Sequence, residues 1–275
     1  MITLIILNWR RPRNMEHLIA RYRAYGCISE IMIVCNGGSP FTLPAGSKSP
    51  VTIRCSTDLG LFTRFAAAAL AQNPCVLHVD DDLQIPRTTI EELYRQWVRD
   101  PDCCHGLHGR AGHGAYDMSN IHGKVPVVLT RCLMTSRTTS ARALSHAHAI
   151  DIPTAVPRGN GEDIILSFTA MMYSGRLNRA FPLPYTELEE DADDGVAETT
   201  SIHRRWSGHV AHRTEILRRC RAYFGVPWRG RFSAGREFPI SAALGRAAFR
   251  CALRLVGPPA PRTAARLATP PTISP

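Results

Sequence analysis

Four short apolar runs punctuate the first hundred residues, three of them leading into a helical pattern, and this alternation most constrains the fold. Residues 2–7 (ITLIIL) are apolar throughout, the pattern of a parallel strand buried on both faces. Asn14 then precedes Met15, Leu18, Ile19 and Tyr22, which share one helical face. Residues 30–35 (EIMIVC) predict a second strand, closed by the turn signal Asn36-Gly37-Gly38, and residues 51–54 a third. Residues 62–71 have helix-forming composition, and residues 75–79 (CVLHV) form a fourth strand that runs into Asp80, Asp81 and Asp82. The next helix is expected from Pro86, with Thr88 or Thr89 as cap and Glu91 and Glu92 placed for a capping box. The order predicts an α/β domain with a mainly parallel central sheet flanked by helices. Such sheets bind ligands at the carboxyl ends of their strands, where the polar clusters 8–13, 36–39, 57–60 and 80–82 all fall. They are expected to converge on one crevice.

The 275 residues leave room for one large domain or two small ones, and 44% hydrophobic with 20% charged residues excludes wholesale disorder. Beyond residue 100 the pattern is less regular. Residues 125–129 (VPVVL) predict a strand in which Pro126 marks an edge or a bulge. Residues 159–163 lead into an apolar helix over 164–173, residues 187–194 (ELEEDADD) read as a solvated loop, and a basic helix covers 210–224. The expected organisation is a domain over 1–225, its nucleotide-binding part in 1–100 and its acceptor and catalytic part in 101–225. A basic helical segment (226–256) and a Pro-rich disordered tail (257–275) follow.

The net charge of +10 is carried almost entirely by arginine, Lys48 and Lys124 being the only lysines. That balance suits phosphate-bearing partners. A nucleic-acid-binding protein is the rival from another class, but the basic residues are dispersed and no helix-turn-helix, RNP or zinc-finger pattern is present, so nucleic acid is not expected as a partner. Nine scattered cysteines, never spaced C-x-x-C, argue against a zinc ribbon or disulfide framework and suit small core residues in a reducing cytoplasm. The opening MITLIILNWRRPR places its charge after the apolar run, unlike a signal peptide, and no run reaches the length of a membrane span.

The strongest chemical signal is the acidic triplet at the end of a buried strand. Divalent cations such as Mn²⁺ or Mg²⁺ take oxygen ligands and commonly bridge carboxylates to phosphate oxygens. Alternation along an extended segment puts Asp80 and Asp82 on one side and Asp81 on the other. The plainer reading, a solvated loop or helix cap, is weakened because the next helix has threonines to cap it.

VLHVDDDLQI resembles the metal-binding D-x-D segment of nucleotide-sugar-dependent glycosyltransferases with the GT-A fold. With TLIILNWRRP, IMIVCNG and GNGEDIILSFTA, and a weaker match at HVAHRTEILRRC, the chain resembles the exostosin C-terminal domain family, glycosyltransferase family 64, in islands over residues 2–225. The resemblance implies a UDP-sugar donor, a Mn²⁺ ion bridging its diphosphate to Asp80, Asp81 and Asp82, and transfer of an N-acetylhexosamine-type sugar with retention of configuration. It further implies that Trp9 lies near the uracil, that Arg11 contacts the diphosphate and that Asn36 and Arg64 bind the donor. Asp163 would stand beside the reacting centre, with Arg213 on the phosphate side. Gly161 stands where the family usually has a cysteine. Asp58, in the polar cluster after the third strand, joins the donor-binding candidates. The acceptor would be a glycan or a lipid-linked molecule.

Four further features carry weaker signals. Cys103, Cys104, His105, His108 and His113 lack the spacing of a zinc site and are expected in a mobile loop lining the acceptor side, where Arg110 could meet an anion. The acidic stretch 187–194 lies where related folds carry a loop that closes over the donor. His209 is a candidate metal ligand, against the plainer reading of a surface histidine on a basic helix. Residues 244–256 place Arg246, Arg250 and Arg254 on one stripe, which would suit either peripheral contact with an anionic membrane or an ordinary packed helix. Of Glu162 and Asp163, adjacent at a helix start, only one is expected to reach the sugar, and Asp163 is the choice. An inverting enzyme, with Asp163 as base, is the nearest alternative.

Overall fold

The first strand, β1 (Ile2–Asn8), sets the layering because its apolar residues alternate between two faces. Ile2, Leu4 and Ile6 pack with Met15, Leu18, Ile19 and Tyr22 of α1 (Pro12–Arg23), whereas Ile5 and Leu7 pack with Ala67, Ala68 and Ala71 in and after α2 (Thr63–Ala69). Burying each large aliphatic side chain stabilises by roughly 1.5–3 kcal/mol relative to exposure. The structure is a computed structural model and describes residues 1–9, 11–37, 50–112, 114–152, 160–188 and 207–224. All of these fall in one compact unit.

The sheet continues through β2 (Ile28–Asn36), β3 (Val51–Cys55) and β4 (Cys75–Asp80); β5 (Leu83–Gln84) and α3 (Arg87–Arg99) follow. The second half supplies β6 (His105–Gly106), β7 (Gly109–Arg110), β8 (Gly123–Val125), β9 (Val127–Val128), β10 (Cys132–Ser136), α4 (Arg137–Ala149), α5 (Glu162–Ser174), β11 (Asn178–Ala180), β12 (Thr186–Glu187) and α6 (His209–Phe224). Eight strands join in the order β3-β2-β1-β4-β10-β6-β11-β8, and β12-β5 and β7-β9 form two small ladders. Pairs β3-β2, β2-β1, β1-β4 and β6-β11 are parallel, and β10 enters antiparallel to both neighbours. The chain leaves β1 toward β2 and β3 on one side and returns to place β4 on the other. The crevice beyond the carboxyl ends of β1 and β4 is therefore the switch point at which such sheets bind ligands.

The four expected strands and the three expected helices of the first hundred residues are present, with shifted ends. Helix α1 begins at Pro12, not after Asn14; proline at the first position costs no hydrogen bond there. Neither Thr88 nor Thr89 caps α3: Pro86 holds that position without a side-chain cap, and the Thr89 hydroxyl instead donates to the Pro184 carbonyl at 2.8 Å. With no threonine cap on α3, only geometry distinguishes the triplet from a solvated turn. Pro126 separates β8, the sheet's edge strand, from β9. The segment expected as a mobile loop is largely built into the fold: His105, Gly106, Leu107, His108, Gly109 and Arg110 are buried in or beside β6 and β7. Its glycines permit close approach. A Cβ at Gly106 would lie 2.4 Å from the Cys132 carbonyl oxygen, and one at Gly109 2.3 Å from that of Ile121. Cys103 and Cys104 bury their thiols against the Leu177 carbonyl and the Thr135 hydroxyl. His113, most of the acidic stretch, the segment 226–256 with its arginine stripe, and the Pro-rich tail lie outside the described residues.

Candidate active site at the switch point of the sheet

The triplet begins on the last residue of β4, and the pleat separates its members. Asp81 is buried: it accepts from the Trp9 backbone N–H at 3.0 Å and pairs with the Arg11 guanidinium. Burial pushes its carboxyl up, to about 6, while Arg11 pulls it back. Asp80 and Asp82 keep side chains 27% and 23% exposed. Arg64, buried on α2, donates to Asp80 Oδ1 at 2.8 Å and to the Thr130 carbonyl at 3.0 Å. Burial, then the repulsion of Asp80, raises the Asp82 carboxyl. Asp82 Oδ1 is buried without a hydrogen-bond partner. Two carboxylates that repel each other, one with an orphaned oxygen, suit a divalent cation. Among the described residues no three His, Cys, Asp or Glu side chains form a metal cage.

Asn36 ends β2 and Asp58 lies just past β3, and both bond within the turn between β3 and α2. The Asn36 amide donates to Asp58 Oδ1 at 2.6 Å and to the Gly60 carbonyl at 3.1 Å, while its oxygen accepts from Leu59 N–H at 2.8 Å. Asp58 Oδ1 also accepts from Gly60 N–H at 2.9 Å. This turn launches α2 and so aims Arg64 at Asp80.

The second cluster gathers at the start of α5. Arg213 of α6 donates to Asp163 Oδ2 at 2.5 Å and to Asn160 Oδ1 at 2.7 Å, and its guanidinium lies 4.3 Å from the centre of the Tyr116 ring. Burial opposes its charge, but Asp163 prevails and raises it. Asp163 Oδ1 accepts from Ile164 N–H at 2.9 Å, so both its oxygens are engaged. His209 joins this cluster through Asn160, at 2.9 Å. Glu162 is arranged differently. Oε1 accepts from the Thr130 hydroxyl at 2.6 Å, Oε2 is buried without a hydrogen-bond partner, and burial followed by Asp163 raises the carboxyl. Of the two acids, Glu162 is therefore the one with an oxygen that has no hydrogen-bond partner, while Asp163, the expected choice, is held by Arg213. Gly161 just before has φ of 98°, and a Cβ there would lie 2.4 Å from Ile216 Cδ1. Backbone and packing both explain glycine where the resembled family has cysteine.

The turn Thr130–Arg131 links the two clusters and was missed in the sequence. Thr130 bonds Arg64 and Glu162, and the Arg131 carbonyl accepts from Asp80 N–H at 3.0 Å. The Arg131 guanidinium reaches Glu187 at 3.0 Å and Asp82 at 3.6 Å. The available signal was a polar pair between two apolar runs, which reads equally well as any turn.

The chain is similar to several known proteins. Glucosamine inositolphosphorylceramide transferase 1 of Arabidopsis thaliana is 32% identical over 98 residues, covering 35% of this chain and 13% of the relative. The Oryza sativa subsp. indica protein of the same name is 27% identical over 110 residues, covering 39% and 15%. The chain thus spans only a small part of these relatives' length. A crystal structure of S. aureus TarS residues 1–349 overlays with a TM-score of 0.44 at 12% identity, covering 68% of this chain and 60% of that one. The model of the glycosyl transferase family 64 domain matches residues 2–231, so the chain belongs to glycosyl transferase family 64.

Proposed function

We propose that this glycosyltransferase moves a hexosamine-type sugar from a UDP-sugar to a glycan or lipid-linked acceptor, with a divalent cation and with retention of configuration. The observation that carries the reading is the placement of partly exposed Asp80 and Asp82 beside Arg11 and Arg64 at the switch point, with the Glu162, Asp163 and Arg213 cluster joined to them through Thr130. The names of the plant relatives support a glucosamine-type sugar and a lipid-linked acceptor.

Cleaving a sugar–diphosphate bond leaves negative charge on the diphosphate as the anomeric carbon gains positive character. Groups fixed where that charge develops lower the barrier without reorganising. Asp80 and Asp82 would hold Mn²⁺ or Mg²⁺, which supplies positive charge to the leaving group. Arg11 is oriented by buried Asp81 and presents a second nitrogen 3.5 Å from Asp82. Arg213 holds Asp163 in place, and Glu162 keeps one buried oxygen without a hydrogen-bond partner. With its carboxyl raised, Glu162 can hydrogen-bond a sugar hydroxyl or carry a proton.

The test is a transfer assay with UDP-hexosamine donors, with the product anomer read by NMR. Asp82→Ala is expected to abolish transfer in folded protein, and an unchanged rate would sink the mechanism. An inverted product would instead favour an acid of the α5 cluster acting as base.

A further inference from the structure

Arg131 is hydrogen-bonded on one side and only loosely ion-paired on the other. Its carbonyl accepts from Asp80 N–H at 3.0 Å, which fixes its main chain against the end of β4. Its Nη1 donates to Glu187 Oε1 at 3.0 Å. Glu187 is itself registered by the β12-β5 ladder, where it stands opposite Leu83, and Leu188 N–H donates to the Asp82 carbonyl at 2.8 Å. The other terminal nitrogen, Nη2, stops 3.6 Å from Asp82 Oδ1, beyond hydrogen-bond reach, and that oxygen finds no other partner.

The arginine side chain is 31% exposed, its glutamate partner is 61% exposed, and pairs so wet contribute little stability. A planar guanidinium held along one edge presents the other for two-point contact with a phosphate, a geometry that an ammonium group does not offer. Arg11 approaches the opposite oxygen of Asp82 at 3.5 Å, so a diphosphate arriving at this carboxylate would lie between two guanidinium groups.

We infer that Arg131 is a diphosphate-binding residue of the donor site, held by Glu187 so that its Nη2 edge takes a phosphate oxygen of the nucleotide. The inference rests on the UDP-sugar reading above and adds a ligand that neither the triplet nor the family resemblance assigns. Glu187 acts through Arg131 and is a positioning residue.

The experiment measures, with Mn²⁺ present throughout, UDP binding by calorimetry and uridine binding by displacement calorimetry against UDP, on the wild type, Arg131→Ala, Arg131→Lys and Glu187→Gln, each checked for folding by its melting curve. Losing one charge-assisted contact to phosphate predicts UDP affinity about tenfold weaker or more in Arg131→Ala, with uridine affinity unchanged. Arg131→Lys should recover part of the loss, and Glu187→Gln should show a smaller loss in the same direction. Wild-type binding of UDP matched by Arg131→Ala would overturn the assignment alone, as would an equal loss for uridine. Wild-type protein that ignores UDP would overturn the donor reading and this assignment together.

Discussion

At the residue scale, Glu162 and Asp163 are neighbours with opposite circumstances. Asp163 closes a buried pair with Arg213, and removing its charge leaves that guanidinium uncompensated. Asp163→Asn is therefore expected to destabilise the fold by about 3–5 kcal/mol, read from denaturant unfolding. Glu162→Gln keeps an acceptor for the Thr130 hydroxyl and should unfold nearly as the wild type does, yet lower kcat by about a hundredfold or more. The opposite pattern, with activity lost only through Asp163, would return the sugar-side role to that residue. Both acids were visible in the sequence as a pair at a helix start, but which one is engaged depends on Arg213, fifty residues away, and no spacing rule reports that. Gly161 makes a separate prediction. Restoring the family's cysteine by Gly161→Cys forces an L side chain to φ of 98° and into Ile216, and should cost about 1–3 kcal/mol or more in the same unfolding measurement.

At the scale of elements, what the sequence made legible follows from how each element buries its side chains. β1, β2 and β4 are apolar on both faces, so continuous runs announce them, and the 3.6-residue spacing of Met15, Leu18, Ile19 and Tyr22 announces α1. The two-residue strands β5, β6, β7, β9 and β12 are too short to show a period, and they shape much of the site. The segment around β6 and β7 misled for a physical reason: its glycines and histidines resemble a loop, but the glycines serve backbone approach and the histidines are packed. His108, buried edge-to-face on Tyr185 with ring centres 5.0 Å apart, is held down to about 4 by burial, then by Arg131 and Arg110. A depressed histidine costs nothing while both states are neutral above about pH 6.5. As pH falls toward 4 the unfolded chain gains the proton first, so stability is lost through that window, by up to about 3 kcal/mol for this group. Melting curves between pH 7 and 4 should show the loss, and His108→Asn should show less of it.

At the scale of the whole molecule, the parallel half of the sheet brings two distant polar clusters, at the ends of β1 and β4, to one switch point. The arginine-rich composition has its clearest meaning there. Arg11, Arg64 and Arg131 each stand against the triplet, while Arg213 serves the second cluster. The gathering of Arg11, Arg64 and the triplet near the strand ends was legible in part, because the polar clusters follow the apolar runs in the sequence. The division of labour was not: Asn36 and Asp58 build a turn, Asp81 orients Arg11, and Asp80 and Asp82 remain partly open. The central claim is that these two open carboxylates make a cation-dependent UDP site. Calorimetric titration of UDP with and without Mn²⁺, on the wild type and on Asp82→Ala, tests it most directly. The account predicts manganese-dependent UDP binding that Asp82→Ala removes while the protein stays folded; folded wild-type protein that ignores UDP under both conditions would contradict it.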